Sequence, residues 1–216
     1  MKQFAVLGLG NFGFSLAVSL AEKGHEVLAI DSDDERIEEI KDLVTHAVVY
    51  DVKTADFLKE YIKPDIDAVI LNLGESLEAN SIAIFHLKEI GVQNIIVKSV
   101  DPLQSKIYKK MGATDIINPD KLGGENLAER LCTSNLIDYI PLAPEYGIYE
   151  AAVPDKFVGK SIKGIAFRKK FNIEIIAIKN VLTEKITFIP DPDSKIEPDS
   201  VLIFICKKDD FDRLGF

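Results

Sequence analysis

The sequence predicts an α/β protein, built from a Rossmann-type doubly wound parallel sheet followed by a small α+β C-terminal domain. Up to about residue 136, short runs rich in Val and Ile alternate with stretches in which apolar residues recur every three or four positions. This alternation is typical of buried parallel strands separated by helices. The first apolar run leads directly into the glycine-rich segment GLGNFG at 8–13. After residue 145 the apolar runs are separated by turn signals rich in proline and aspartate.

The elements of the first domain, residues 1–136, follow from this alternation. Six runs that are apolar on both faces are predicted to be strands: 4–9, 26–31, 46–50, 68–72, 94–98 and 114–118. The amphipathic segments between them predict helices at 12–23, 34–42, 54–62, 76–90 and 102–111. A further helix is predicted over about 118–134, because Asn118 can cap it and Pro119 is tolerated in a first turn. Leu127 and Leu131 lie on one face of this helix.

The second domain is predicted to follow a linker. Residues 137–145 contain Pro141 and Pro144, and proline disfavours helix at the residue before it, so we expect an extended linker here. The domain itself is predicted over 146–216. Its predicted elements are strands at 146–153, 173–179, 186–190 and 200–206 and a helix at 161–169.

The segment FAVLGLGNFGFSLAVSLAEKGHEVLAID at 4–31 has the pattern of a nucleotide-binding turn. In this pattern Gly8 allows a tight turn, Gly10 lets a pyrophosphate approach the backbone, and Gly13 lets the next helix pack closely on the sheet. The helix start presents N–H groups and a positive dipole end to the phosphates. Asp31 ends the second strand 18 residues after Gly13, where its carboxylate would accept hydrogen bonds from ribose and repel a 2′-phosphate. This context favours nucleotide binding, with NAD preferred over NADP, over a purely structural glycine turn.

Residues at other strand ends are predicted to line the same crevice, because ligands of open α/β sheets bind beyond the carboxyl ends of the strands. Lys98 could neutralise phosphate charge there; the alternative is a solvated lysine at a strand end. The remaining candidates are Asn11, Phe12, Ser32, Asp51, Val52, Asn72, Leu73, Gly74 and Glu75.

Composition and charge argue against several classes of function. The formal net charge of −9 disfavours a nucleic-acid-binding surface and direct adhesion to anionic lipid. No apolar run approaches the roughly 18–20 residues that cross a bilayer, and the first residues read as a strand and not as a signal peptide. The two cysteines, Cys132 and Cys206, form no CxxC pair. We therefore expect a reduced, cytoplasmic protein that reaches the inner face of a membrane only through a protein partner.

Candidate catalytic residues are few. His25, His46 and His86 are scattered without metal-ligand spacing, no GxSxG motif is present, and the C-terminal domain contains no histidine. A dehydrogenase normally needs a substrate domain with an acid or base residue. We therefore predict that the protein binds a nucleotide but does not catalyse a reaction on it. The alternatives are an NAD-dependent oxidoreductase and a free-standing redox sensor that controls transcription.

A resemblance to a known family is carried by FAVLGLGNFG (4–13), GHEVLAID (24–31), THAVVYD (45–51), IIVKS (95–99), GATDIINPDK (112–121), KSIKGIAFRKKFNIEIIAIKN (160–180) and IEPDSVLIFI (196–205). Over essentially its whole length the chain resembles the cytoplasmic regulatory subunits of the Trk/Ktr potassium uptake systems. These combine an RCK (regulator of potassium conductance) N-terminal domain with a TrkA-C domain. The resemblance implies a homo-oligomeric ring, commonly an octamer, under a membrane potassium-translocating subunit. It also implies that the helix after Asn118 is a crossover helix, which swaps between neighbours to form a dimer.

The resemblance assigns roles to individual residues. It implies a phosphate turn made of Gly8, Gly10, Phe12 and Gly13. It further implies that Asp31 binds the ribose, that Asp51 and Val52 flank the adenine, and that Lys98 lies towards the phosphates. The implied ligands are the adenine nucleotides ATP and ADP, or NAD(H).

Two residues depart from the family pattern. Asn11 stands where many Ktr-type members have an arginine that reaches the terminal phosphate of ATP. Because this cation is missing, NAD(H), ADP or AMP are favoured over ATP as ligands. Asp120 replaces a glutamate that can help bind a divalent cation between neighbouring nucleotides. In the C-terminal domain, related proteins can bind cyclic di-AMP. The corresponding residues here are Arg168, Asn172, Ile173 and Pro190, although 168–170 can equally be a solvated basic run.

Overall fold

The structure is a computed structural model that describes residues 1–52, 55–132, 135–143 and 145–214. The chain divides into two compact units, Met1–Leu122 and Gly123–Phe216. The domain boundaries predicted at 136 and 146 remain predictions. Among the described residues, no helix has the length and apolar character needed to span a bilayer.

The first unit is a parallel sheet in the strand order β3-β2-β1-β4-β5-β6, which confirms the predicted doubly wound fold. Its strands are β1 (Gln3–Leu7), β2 (Glu26–Asp31), β3 (His46–Val49), β4 (Ala68–Leu71), β5 (Ile95–Lys98) and β6 (Asp115–Ile117). The helices are α1 (Asn11–Glu22), α2 (Asp34–Ile40), α3 (Ala55–Tyr61), α4 (Leu77–Ile90), α5 (Pro102–Met111) and α6 (Pro119–Cys132), the last continuing into the second unit. The strand order reverses between β1 and β4, and such a switch point is where doubly wound sheets bind ligands.

Local sequence signals explain where the helices of this unit begin and end. Ser76 caps α4 by accepting a hydrogen bond from the Ala79 N–H at 3.1 Å, and α4 ends at Gly91 with a φ of 94°. Asp101 caps α5 in the same way, and Pro102 occupies its first turn. Asn118 Oδ1 accepts from the Lys121 N–H at 2.9 Å, so α6 begins where the sequence predicted.

The sheet is buried on both faces, which is why its strands are apolar throughout. Ala5 and Leu7 pack into the core on one face, whereas Val6 packs into the core on the other. Alternate residues of β1 therefore enter opposite cores, as expected for a strand between two helical layers.

The second unit contains an antiparallel sheet in the order β10-β9-β11-β8-β7. Its elements are β7 (Leu136–Ala143), β8 (Tyr146–Ala152), a 3₁₀ turn (Asp155–Phe157), α7 (Ile162–Ile165), α8 (Phe167–Phe171), β9 (Glu174–Asn180), β10 (Ile186–Phe188), β11 (Ser200–Lys207) and α9 (Lys208–Asp212). This confirms the α+β class of the second domain.

The linker prediction for 137–145 needs correction, because most of this segment forms strand β7. The segment is extended, as its prolines predict, but it pairs with β8 in an antiparallel ladder. β7 lies at the edge of the sheet. An edge strand tolerates Pro141 because one of its sides needs no N–H donors.

The single helix predicted at 161–169 is also wrong, since Ala166 interrupts it with a φ of 59°. Ile165 is 4% exposed and Phe167 is 2% exposed, and both pack into the same core. On a continuous helix, two side chains that are two positions apart point in nearly opposite directions. Burying both side chains in one core therefore requires a break between them.

Candidate nucleotide-binding site

The glycine turn between β1 and α1 requires two of its three glycines for its own packing. Gly8 has a φ of +94°, and a Cβ there would lie 2.2 Å from the Asn72 carbonyl oxygen. A Cβ at Gly13 would lie 2.0 Å from the Gly8 carbonyl oxygen. Both positions therefore exclude any larger residue.

Gly10 differs from the other two glycines. Its φ is −58°, an ordinary value for any residue. A Cβ there would meet the Asn72 Nδ2 atom at 3.4 Å, which is a normal contact. Gly10 is exposed. The fold itself thus does not require glycine at this position, and the outer side of the turn is open to a ligand.

The N-terminus of α1 lies at this turn. No side chain caps the helix at Gly10, and the Gly10 carbonyl accepts from the Phe14 N–H at 3.0 Å. The N–H groups of Asn11, Phe12 and Gly13 precede that bond and have no acceptor within the helix. Such a helix start favours an anionic group.

Asp31 connects the end of β2 to the glycine turn. Its Oδ2 atom accepts from the Leu9 N–H at 2.5 Å and its Oδ1 atom from the Asp33 N–H at 3.0 Å. Ser32, beside it, is exposed. Each carboxylate oxygen can accept more than one hydrogen bond, so Asp31 can hold the turn and still accept from a ribose hydroxyl. The sequence predicted only the second role.

Replacing Asp31 by alanine is expected to lower both nucleotide affinity and stability. Two backbone N–H groups lose their acceptor, so the free energy of unfolding should fall by about 1–3 kcal/mol. Asp33→Ala is the matched control, because Asp33 caps α2 through the Glu35 N–H at 2.9 Å. Asp33→Ala should lower the free energy of unfolding by a similar amount, about 0.5–2 kcal/mol, and leave nucleotide affinity unchanged. Urea denaturation and calorimetry measure the two effects. Wild-type affinity in Asp31→Ala would contradict the ribose assignment.

At the end of β3 the structure separates two candidates that the sequence grouped together. Val52 is 6% exposed and packs into the core with Leu58, so its side chain is not available to flank an adenine. Asp51 is exposed. Burial of Val52 was not predictable from its position after a strand, because it depends on α3 packing against that residue.

Asn72, at the end of β4, supports the glycine turn. Its Nδ2 atom donates to the Gly8 carbonyl at 3.1 Å and its N–H to the Leu7 carbonyl at 2.7 Å. Leu73 is half-buried against the core, and Gly74 and Glu75 are exposed. Asn72 therefore positions the turn, while the two residues after Leu73 are accessible.

Lys98, at the end of β5, extends towards the turn. Its Nζ atom lies 2.9 Å from Asp120 Oδ2 and 5.8 Å from the centre of the Phe12 ring. A cavity of about 210 Å³ opens beside it. This cavity is lined by Asn72, Gly74, Glu75, Lys98, Ser99, Val100, Gln104 and Asp120. Four of the predicted strand-end residues, Asn72, Gly74, Glu75 and Lys98, thus line this cavity, and Asp120 enters it from α6.

Sequence reasoning missed the residues that hold the loop after β4. Gln104 Nε2 donates to the Glu75 carbonyl at 3.3 Å, and Gln104 Oε1 accepts from the Tyr108 hydroxyl at 3.1 Å. Burial raises the pKa of Tyr108. The buried Asn80 Nδ2 atom donates to the Gly74 carbonyl at 3.2 Å. Ser99 lines the cavity and could have been predicted, since it directly follows a predicted strand end. Gln104, Tyr108 and Asn80 lie inside helices, where no sequence signal marks them as part of a site.

In the second unit, three of the four predicted cyclic di-AMP residues line one cavity of about 290 Å³: Arg168, Ile173 and Pro190. Arg168 pairs with Glu174. Asn172 does not line this cavity, and its Nδ2 atom donates to Asp210 Oδ2 at 2.9 Å. Across the described part of the chain, no three His, Cys, Asp or Glu side chains are grouped in a way that could hold a metal ion.

Comparison with known proteins gives matches over nearly the whole chain. The TrkA-N domain model matches residues 4–119 and the TrkA-C domain model residues 148–215. Ktr system potassium uptake protein A of Bacillus subtilis is 34% identical over 212 residues, which cover 98% of this chain and 95% of the relative. Ktr system potassium uptake protein C of the same organism is 32% identical with the same coverage.

A solved structure of the GsuK channel bound to NAD has a similar fold. Its TM-score is 0.65 at 18% identity, and the match covers 97% of this chain but 38% of that one. At this identity the likeness concerns the fold. The domain matches and the two Bacillus subtilis relatives show that the chain belongs to the Trk/Ktr-type potassium uptake proteins, which combine a TrkA-N with a TrkA-C domain.

Proposed function

We propose that this protein is a cytoplasmic, nucleotide-sensing gating subunit of a Trk/Ktr-type potassium channel or transporter. The observation that carries the proposal is the glycine turn, in which Gly10 is not required by the fold and leaves the α1 N-terminus open to a phosphate. An adenine nucleotide would bind there, with its ribose at Asp31. Binding would change the conformation of a ring that contacts a membrane potassium-translocating subunit. No catalytic residue is assigned, and no histidine or cysteine is among the described residues that line the cavity at Lys98.

The proposed self-assembly rests on the apolar face of α6. Leu127 and Leu131 are four positions apart and therefore lie on one face of the helix; they are 53% and 78% exposed, which leaves two large apolar side chains open to solvent. A neighbouring copy would cover them in a crossover dimer, and dimers would form the ring, which we expect to be an octamer. The proposal also includes a divalent cation at Asp120 between neighbouring nucleotides, and cyclic di-AMP at the Arg168 cavity.

Potassium uptake is the measurement that tests the proposed function. The chain would be produced together with a Trk/Ktr-type membrane subunit in a bacterium that lacks potassium uptake. Growth at low potassium should depend on the chain, and Gly10→Ala should alter that dependence. Growth that is identical with and without the chain would contradict the proposal. Sustained oxidation of NADH by the purified protein would favour the oxidoreductase alternative instead.

Asn11 is expected to keep the preference between ATP and ADP small. A nucleotide biases a gate only by binding its two conformations differently. The neutral Asn11 provides no cation for a terminal phosphate. The wild type should therefore bind ATP and ADP within about tenfold, roughly 1.4 kcal/mol. Asn11→Arg should shift the preference towards ATP, and Asn11→Gln, longer but neutral, should not. Calorimetric titrations of the three proteins measure this. A hundredfold ATP preference in the wild type would contradict the argument.

A further inference from the structure

The loop between β4 and α4, residues 72–76, contributes to the wall of the cavity beside Lys98. Gly74 and Glu75 both line this cavity. Their backbone N–H groups donate to no acceptor in the described part of the chain. A backbone N–H that no protein group satisfies takes water or a ligand as its acceptor. The loop therefore offers hydrogen-bond donors to a molecule in the cavity.

Two carbonyl groups of the same loop are bound from inside the fold by Asn80. This residue lies one turn into α4, and its side chain is buried, with 0% exposure. Asn80 Nδ2 donates to the Gly74 carbonyl at 3.2 Å and to the Ser76 carbonyl at 3.0 Å. Asn80 does not line the cavity, so both bonds lie on the buried side of the loop.

The geometry of the peptide unit fixes where the Glu75 N–H points. In a planar trans peptide, the C=O of one residue and the N–H of the next point in opposite directions. The Gly74 carbonyl points towards the buried Asn80. The Glu75 N–H, in the same peptide unit, therefore points away from Asn80. Because Glu75 lines the cavity, this N–H lies on the cavity side of the loop.

An amide at position 80 is costly for the helix that carries it. Asn80 Oδ1 is buried and accepts no hydrogen bond from the described residues, and a buried polar atom without a partner lowers stability. The other buried residues of α4 are all apolar: Ala79, Ala83, Ile84 and Leu87. An apolar residue at position 80 would suit this core as well. The donor at position 80 is explained by the loop carbonyls and not by the core.

We propose that Asn80 is a positioning residue, which holds the loop after β4 so that the Glu75 N–H donates to an acceptor oxygen of the bound nucleotide. The inference rests on the proposed nucleotide site and adds a backbone donor to those of the α1 N-terminus. Asn72 lines the same cavity and bonds to the Gly8 carbonyl, so the loop and the glycine turn belong to one site.

The first test is calorimetric titration of wild type, Asn80→Leu and Asn80→Ser with ATP, ADP and NAD. Leucine is similar in size but has no donor. Serine can keep a bond to the Ser76 carbonyl, four positions earlier in the chain, but lacks the amide that binds the Gly74 carbonyl. We expect both variants to bind about tenfold more weakly, as the loss of one well-placed hydrogen bond would cause. Ile84→Val is the matched control. Ile84 is also fully buried on α4, so this variant should lower the urea midpoint and leave all affinities unchanged.

Hydrogen exchange followed by mass spectrometry measures the proposed contact directly. Saturating ADP should slow exchange in residues 73–76 of the wild type, and less so in Asn80→Leu. A lower urea midpoint with unchanged affinities in both Asn80 variants would indicate a merely structural role and overturn this inference alone. So would a wild type that binds ADP without any change of exchange in residues 73–76. A wild type that binds no adenine nucleotide would overturn the proposed function and this inference together.

Discussion

Gly13→Ala is expected to destabilise the first unit by roughly 3 kcal/mol or more, which is at the upper end of single-substitution effects. The added Cβ would lie 2.0 Å from the Gly8 carbonyl oxygen and 2.8 Å from Asn72 Nδ2. Neither neighbour can move freely. The Gly8 N–H donates to the Ile30 carbonyl at 2.8 Å, and the Asn72 amide bonds to the Gly8 carbonyl. Urea denaturation measures the loss, and an unchanged midpoint would contradict the packing of this turn.

Gly10→Ala should leave the stability of the first unit nearly unchanged but weaken nucleotide binding. Its φ of −58° suits alanine, so the free energy of unfolding should change by less than about 1 kcal/mol. The added methyl group would occupy the open side of the turn, and nucleotide affinity should fall at least tenfold. Gly123→Ala on α6 is the matched control, because a Cβ there has no neighbour within 4 Å. It should leave affinity unchanged. Wild-type affinity in Gly10→Ala would exclude a phosphate at this turn.

The second large effect concerns assembly. The double variant Leu127→Asp and Leu131→Asp is expected to dissociate the oligomer into smaller species. In the proposed dimer both side chains are buried by a neighbour, and each buried leucine contributes about 1.5–3 kcal/mol. Aspartate would place unpaired carboxylates in that contact, which is costlier still.

Light scattering coupled to gel filtration measures the mass. The control is Leu127→Met with Leu131→Met, a volume-conserving change that should preserve the oligomer. Both leucines are exposed within one chain, so the aspartate variant should fold normally, and circular dichroism verifies this. A monomeric wild type, or an aspartate variant of unchanged mass, would contradict the crossover role of α6.

Most of the first unit was predictable, because its signals are local. Val and Ile runs identify strands, and residues such as Ser76, Asp101 and Asn118 mark helix starts by capping. The spacing of Gly8, Gly10 and Gly13 after a strand located the candidate site. These patterns reflect backbone geometry within a few residues, so one sequence is sufficient to read them.

The second unit was less predictable. Pro141 indicated a linker, yet β7 is an edge strand, and only its pairing with β8 distinguishes the two. Ala166 has no sequence feature that predicts a left-handed conformation. The break there follows from the simultaneous burial of Ile165 and Phe167 in one core. In both cases a contact distant in sequence outweighed the local signal.

Local patterns in the sequence were enough to predict the fold class, the position of the glycine turn and the candidate residues around it. The contacts of each candidate depend on the tertiary structure. It showed that Asp31 binds the Leu9 N–H, that Val52 is buried in the core and that Asn72 supports Gly8. It also paired Lys98 with Asp120 across 22 positions of the chain. The physical reason is that hydrogen bonds and ion pairs depend on distances between side chains, and those distances exist only once the sheet brings separate strand ends to one edge.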